Sequence, residues 1–176
     1  LRVIGAIQQM YEQNALSAYL QTQREKSLPG WEELPDIELY MDQVVALTNR
    51  YLGNQTKDHM LTPSMVNNYV KMKVMPPPVK KKYSREHLVY LLVICTLKQV
   101  LPLSMVEQVL QQGLQQRDVR EFYQKFRELF GASLRSAVEE TVHLQETGVT
   151  PEDAILGLAL KAQAEQTLAQ GLLSME

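Results

Sequence analysis

The stretch Leu61–Leu103, LTPSMVNNYVKMKVMPPPVKKKYSREHLVYLLVICTLKQVLPL, decides how the chain is read. Thr62-Pro63 is an N-cap followed by the residue type favoured at the first helical position, and it opens a short helix over Pro63–Lys73. Val66, Tyr69 and Val70 share the apolar face of that helix, while Ser64, Asn67, Asn68 and Lys71 share the opposite one. Pro76, Pro77 and Pro78 lack amide donors and push their predecessors into extended backbone, so residues 74–82 form a link and not a helix. Ser84 then caps a helix over Arg85–Val100, in which Leu88, Leu91, Leu92, Cys95 and Leu97 make a broad apolar surface. The order reads as the second helix of a helix-turn-helix, its wing, and the helix that supports both.

Upstream, Asp36 caps a helix over Ile37–Leu52 with Ile37, Tyr40, Val44, Leu47 and Tyr51 on one face. Gly53 ends it, and Gly53–Met60 is a polar connection. Before this, residues Leu1 to Arg24 carry Ile4, Ile7, Tyr11, Ala15 and Tyr19 about one helical turn apart. Ser27–Asp36 (SLPGWEELPD) is a loop, punctuated by Pro29-Gly30 and Pro35, with Trp31 as its plug onto the core.

Downstream, Pro102 stops the supporting helix. Ser104 with Glu107 is a capping box that opens a helix to about Gln112, which Gly113 closes. Asp118 with Glu121 starts another, along which Val119, Phe122, Phe126, Leu129 and Phe130 recur at helical spacing. Gly131 is a break or a bend before Leu134, Val138 and Val142, and Gly148 is the stop. Thr150-Pro151 opens a last, alanine-rich helix striped by Ile155, Leu158, Ala162 and Leu168. The fold class expected is all-α with at most a minimal β wing. The expected division is an N-terminal helix and loop (1–35), a winged helix-turn-helix (36–116) and a C-terminal helical region (117–176).

Apolar residues at 45% and charged residues at 22% describe a folded globular protein and exclude a disordered one. A formal charge of −2 excludes a histone-like, wholly electrostatic nucleic-acid binder but leaves room for a local basic face. Cys95, the single cysteine, excludes an internal disulfide and a thiolate metal cluster. Its place in the apolar run Leu88–Cys95 reads as a buried, inert thiol. That run is roughly half of the shortest spanning helix and no signal peptide is visible, so a cytoplasmic location is expected. A start at Leu1 in place of Met reads as a trimmed chain or fragment.

From Val44 to Leu110 the layout resembles the winged helix-turn-helix domain of MerR-type transcription regulators. Asn67-Asn68-Tyr69 stands where that family has an arginine-tyrosine-tyrosine group. Val74-Met75-Pro76-Pro77 stands at the exit, and Lys80-Lys81-Lys82-Tyr83-Ser84 at the end of the wing and the following cap. Tyr69, Pro77, Tyr83 and the Ser104 capping box agree in spacing as well as type. The departures are Asn67 for the usual arginine, Lys73 for the usual glycine before the exit, a longer turn between the first two helices, and prolines where a wing hairpin would show glycine or asparagine. The strings LPGWEELPDIELYMDQV and MVNNYVKMKVMPPPVKKKYSREHLVYLLVICTLKQVL, in that order, resemble the bacterial (Firmicutes) family named domain of unknown function DUF1836, from about Ser27 to about Gly171. That resemblance implies a MerR-like helical fold and a regulatory role.

Lys71, Lys73, Lys80, Lys81, Lys82 and Arg85 place six of the eighteen lysines and arginines in fifteen residues, with no acidic residue among them. Duplex DNA requires cations facing its phosphates. Asparagine pairs bidentately with adenine and lysine reaches guanine acceptors, so Ser64, Asn67, Asn68 and Lys71 suit a major groove. Lys73, Lys80, Lys81, Lys82 and Arg85 suit phosphates, with Tyr69 and Tyr83 as marginal hydroxyl donors, Tyr69 suiting the core equally well. The expected partner is double-stranded DNA, and a homodimer is expected because one short helix reads too few base pairs. A small-molecule effector is compatible with the aromatic C-terminal half.

Chemistry beyond binding finds no support. Glycines never cluster into a nucleotide loop. His59, His87 and His143 are far apart, and Glu140-x-x-His143 is a single copy of a step that di-iron bundles use twice. Serines stand at caps and not beside a base. The expectation is a non-enzyme with no catalytic residues, no metal and no cofactor. The competing expectation is a protein-interaction module on the same scaffold, its basic face meeting an acidic partner.

Overall fold

The computed structural model describes residues 2–53 and 60–175, and the side chains of all of these except 2–13 and 145. The positions Ile4, Ile7, Tyr11 and His59, and most of the polar connection after Gly53, lie outside the described side chains. Seven α-helices run through the described residues: α1 Arg2–Glu25, α2 Met41–Leu52, α3 Pro63–Lys71, α4 Arg85–Leu97, α5 Leu103–Gln115, α6 Val119–Glu146 and α7 Pro151–Leu173. The only β pairing among them is two isolated antiparallel bridges, Leu39 with Tyr83 and Val79 with Lys82. The all-α class is therefore right.

Contacts divide the chain into two compact units. One holds the chain up to Ser27 with Glu128–Gly157, and the other holds Leu28–Arg127 with the chain from Leu158 onward. In the first, Leu20 and Val138 are buried and Arg24 pairs with Glu139 at 3.7 Å.

The second unit is built around α4. Leu88, Val89, Leu91, Leu92, Val93, Ile94 and Cys95 are all buried, so the helix is covered on every side. Each such side chain contributes about 1.5–3 kcal/mol by leaving water, and α4 packs against both α2 and α5. Val44, Thr48, Asn49 and Leu52 are the buried face of α2.

Several boundaries differ from those the sequence suggests. The helix α2 starts at Met41, not Ile37, because Leu39 is extended and exchanges two 2.8 Å backbone hydrogen bonds with Tyr83. Gln43 accepts from the Tyr40 amide in place of an Asp36 cap, and Ile37 and Tyr40 are exposed. Likewise α5 starts at Leu103 on Pro102, whose carbonyl accepts from Met105 and Val106, so Ser104 caps nothing.

Gly113 does not close α5 but lies inside it. A Cβ there would stand 2.3 Å from the Phe122 ring, so this glycine is the seat of α6 and not a stop. Gly131 neither breaks nor ends α6. Asp118 caps α6 by accepting from Glu121 N–H at 2.8 Å, Gly148 follows α6 with φ +72°, and Thr150 caps α7.

The loop before α2 is held from α6. Tyr123, fully buried, donates its hydroxyl to the Pro29 carbonyl at 2.9 Å, and Arg127 Nε donates to the Leu28 carbonyl at 3.0 Å. Arg120 adds an ion pair to Glu32 at 2.6 Å.

Candidate nucleic-acid interface

The short helix α3 is fixed at both ends. Thr62 Oγ1 accepts from the Met65 amide, and Pro63 occupies the first helical position. Before the cap, Leu61 is buried and both of its backbone groups are satisfied by Asn49 of α2. At the other end Lys73 has φ +61°, the Lys73 amide donates to Val70, and the Val74 amide donates to Tyr69. This is a Schellman cap with lysine at the left-handed position that glycine normally takes, and Val74 and Tyr69 are both buried. The helix therefore ends at Lys71, two residues short of Lys73.

Of the residues expected to read DNA, Ser64, Asn67, Asn68 and Lys71 are all exposed on α3. Asn68 spends one amide hydrogen on Met72 Sδ at 3.3 Å. Tyr69 and Tyr83 are core residues, only 4% and 3% exposed. The Tyr69 hydroxyl has no hydrogen-bond partner, and burial pushes its phenol pKa well up, as burial also raises that of Tyr83. Neither presents a hydroxyl to a phosphate in this conformation.

The lysine run folds into a tight reverse turn. Val79 and Lys82 exchange hydrogen bonds at 3.1 and 2.9 Å, with Lys80 at φ +49° and Lys81 at φ +64° between them. That is the two-residue hairpin geometry for which asparagine-glycine is the usual choice, and here both central residues are lysine. The turn sits at the lysines and not at the prolines, which form the extended approach to it. Lys73, Lys80 and Lys81 are the only non-glycine residues with positive φ among the described ones.

The six cations are not equivalent. Lys71, Lys73, Lys80 and Lys81 are exposed and make no ion pair among the described residues. Lys82 is 2.7 Å from Glu38, whose hydrogen bond raises the lysine pKa. Arg85 is mostly buried: its guanidinium lies 5.2 Å from the Trp31 ring centroid and 3.6 Å from Asp36, and its Nε has no hydrogen-bond partner. Trp31 is thus half-buried under a cation, a stacking role that anchors its loop. The sequence run lacks acids, but chain pairing brings Glu38 and Asp36 in from the segment beside Tyr83.

His87 joins the proline link to the start of α4. Its Nδ1 accepts from the Ser84 amide at 3.0 Å and its Nε2 lies 3.1 Å from the Pro77 carbonyl, which sets the Nε2–H tautomer. Tyr83 meets the imidazole edge-on with centroids 5.6 Å apart. Among the described residues no group of three or more His, Cys, Asp or Glu side chains is placed to hold a metal. Among them, too, no helix is long and apolar enough to cross a membrane.

No curated protein and no solved structure matches the chain. Residues 29–126, a shorter span than the Ser27–Gly171 reach of the resemblance, match the family model described as Domain of unknown function (DUF1836). That match spans more than half of the 176 residues and takes in α2 to α5, the lysine turn and the start of α6; the chain belongs to this family.

Proposed function

We propose that the protein is a MerR-like winged helix-turn-helix regulator that binds double-stranded DNA, with α3 in the major groove and the lysine turn as the wing. The observation that carries this reading is the set of three left-handed lysines. An L-residue in that conformation is strained by roughly 1–2 kcal/mol, and glycine is not. A charge at three such positions, all exposed, suits a surface whose work is to meet anions.

Lys80 and Lys81 at the turn and Lys73 at the exit of α3 are assigned to phosphates, with Lys71 beside them. Ser64, Asn67 and Asn68 are assigned to base edges. Lys82 and Arg85 are assigned to positioning the turn, through Glu38 and Asp36. A second copy of the chain is the partner this mode needs, since palindromic half-sites give a short recognition helix enough sequence to read. The exposed Leu160, Leu168 and Leu172 of α7 supply apolar surface for self-association. The same proposal gives the chain no catalytic role and no cofactor.

The test is duplex binding by the wild type against the Lys80→Glu, Lys81→Glu double variant, with circular dichroism as the check on folding. A folded variant with binding lost is the expected result. A folded variant that binds as the wild type does removes the turn from the interface.

A further inference from the structure

A cleft of about 420 Å³ opens beside the C-terminal end of α3, within the α2–α5 unit. Its apolar lining is Val70 and Val74 from the end of α3, Met75 and Pro77 from the link, and Leu110 and Leu114 from α5. Its polar groups are few. Lys73 stands on one side, Tyr90 of α4 contributes a phenol, and Glu107 and Gln111 lie along α5.

The volume falls in the range of small-molecule sites, and the mix of apolar wall with a few converging polar groups is their usual chemistry. The charges on the rim differ in freedom. Glu107 accepts a hydrogen bond from Gln111 Nε2 at 3.0 Å, which ties both side chains to α5. Lys73 is exposed and makes no ion pair among the described residues, and its left-handed backbone fixes where its stem leaves the chain. Pro76 and Pro77 contribute no amide donors, so the Lys73 ammonium and the Tyr90 phenol are the donors for an anion, with the Glu107 carboxylate in the same lining held by Gln111.

The geometry points to a binding site for a small amphipathic carboxylate, with an aromatic or branched apolar body against Val74, Leu110 and Leu114 and its carboxylate on Lys73. The site shares Lys73 with the DNA-binding proposal, but it is read by naphthoate and naphthamide and not by duplex binding, so the two proposals fail separately. A DNA-binding failure leaves it untouched.

The experiment uses the full chain, β-naphthoate and its uncharged analogue β-naphthamide, followed by amide chemical shifts. Naphthoate is expected to shift the amides around Val70, Lys73, Tyr90 and Leu114 saturably. Lys73→Gly suits the left-handed backbone, so the fold is kept while the ammonium is removed. It is expected to weaken naphthoate about fivefold, the loss of one solvent-exposed ion contact, and to leave naphthamide unchanged. Gln111→Trp puts a large ring at an exposed lining position and is expected to abolish both. Absence of saturable shifts in the wild type, or equal weakening of both probes by Lys73→Gly, overturns the proposal.

Discussion

Asn49 and Leu61 form a closed amide pair across the turn between α2 and α3. The Leu61 amide donates to Asn49 Oδ1 at 2.7 Å, Asn49 Nδ2 donates to the Leu61 carbonyl at 3.0 Å, and both residues are buried. The side chain thus does what a neighbouring strand would do, and it sets where α3 begins. Asn49→Leu leaves two buried backbone groups without partners, at about 1–3 kcal/mol each. A fall in unfolding free energy of roughly 2–6 kcal/mol is expected from urea titration, with Asn49→Asp intermediate because it keeps the acceptor. A change within error would show that water takes over both bonds.

The lysine turn makes stability and binding move in opposite directions. Replacing Lys80-Lys81 by Asn-Gly puts the residue types this turn favours at its two left-handed positions and is expected to stabilise the fold by about 0.5–1.5 kcal/mol, in spite of the entropy glycine adds to the unfolded chain. Duplex affinity is expected to fall in the same variant. A urea midpoint and a binding curve measured on one preparation check both directions. A variant that is more stable and binds equally well would leave the lysines without a role.

The α3 asparagines separate reading from holding. Asn67→Ala with Asn68→Ala is expected to cost roughly 1–3 kcal/mol of discrimination at the contacted bases while leaving the salt dependence unchanged. Selection from a random duplex pool, followed by a salt series on the selected site, checks this. A shallower salt slope would reassign these side chains to the backbone.

Gly113 is an interface between helices more than a flexible point. With the Phe122 ring where its Cβ would go, Gly113→Ala forces the ring or α6 aside and is expected to destabilise by about 1–3 kcal/mol. Phe122→Leu removes the obstruction, so the double variant is expected to lose less than the sum of the two singles. Strict additivity in the double-mutant cycle would mean that the two sites do not meet.

Cys95 is inert for a physical reason, since burial pushes its thiol up to about 11, Lys98 opposing that shift slightly. The native thiol is expected to resist an aromatic disulfide reagent at about pH 8 and to react once urea unfolds the chain. Folded Cys95 holds its proton where the unfolded thiol, with the ordinary value of 9.0, has lost it. Its contribution to stability is present below about pH 9 and is lost as pH rises towards 11, and the raised phenols of Tyr69 and Tyr123 act in the same direction at higher pH. A urea midpoint that rises between pH 9 and 10.5 would contradict the sign.

Helices and caps with strong local signals were legible in the residues. Thr62-Pro63, Ser84, Asp118 and Thr150-Pro151 each stand at a helix start. What could not be read was anything decided by distant pairing. Asp36 followed by an apolar Ile37 resembles a helix start, and only the bridge to Tyr83 makes 37–40 extended. Gly113 resembles a stop until Phe122 arrives. The basic run is uniform in sequence, yet Glu38 and Asp36 claim Lys82 and Arg85 from outside it. The left-handed turn at Lys80-Lys81 carries no sequence mark, because lysine is a residue the turn tolerates and does not favour.

The most direct measurement of the central claim is the salt dependence of binding to labelled random-sequence duplex DNA, followed by anisotropy. Four exposed, unpaired lysines predict measurable binding whose log affinity falls with log salt at about −0.9 per phosphate, several phosphates in all. No binding at low salt, or binding indifferent to salt, would contradict it.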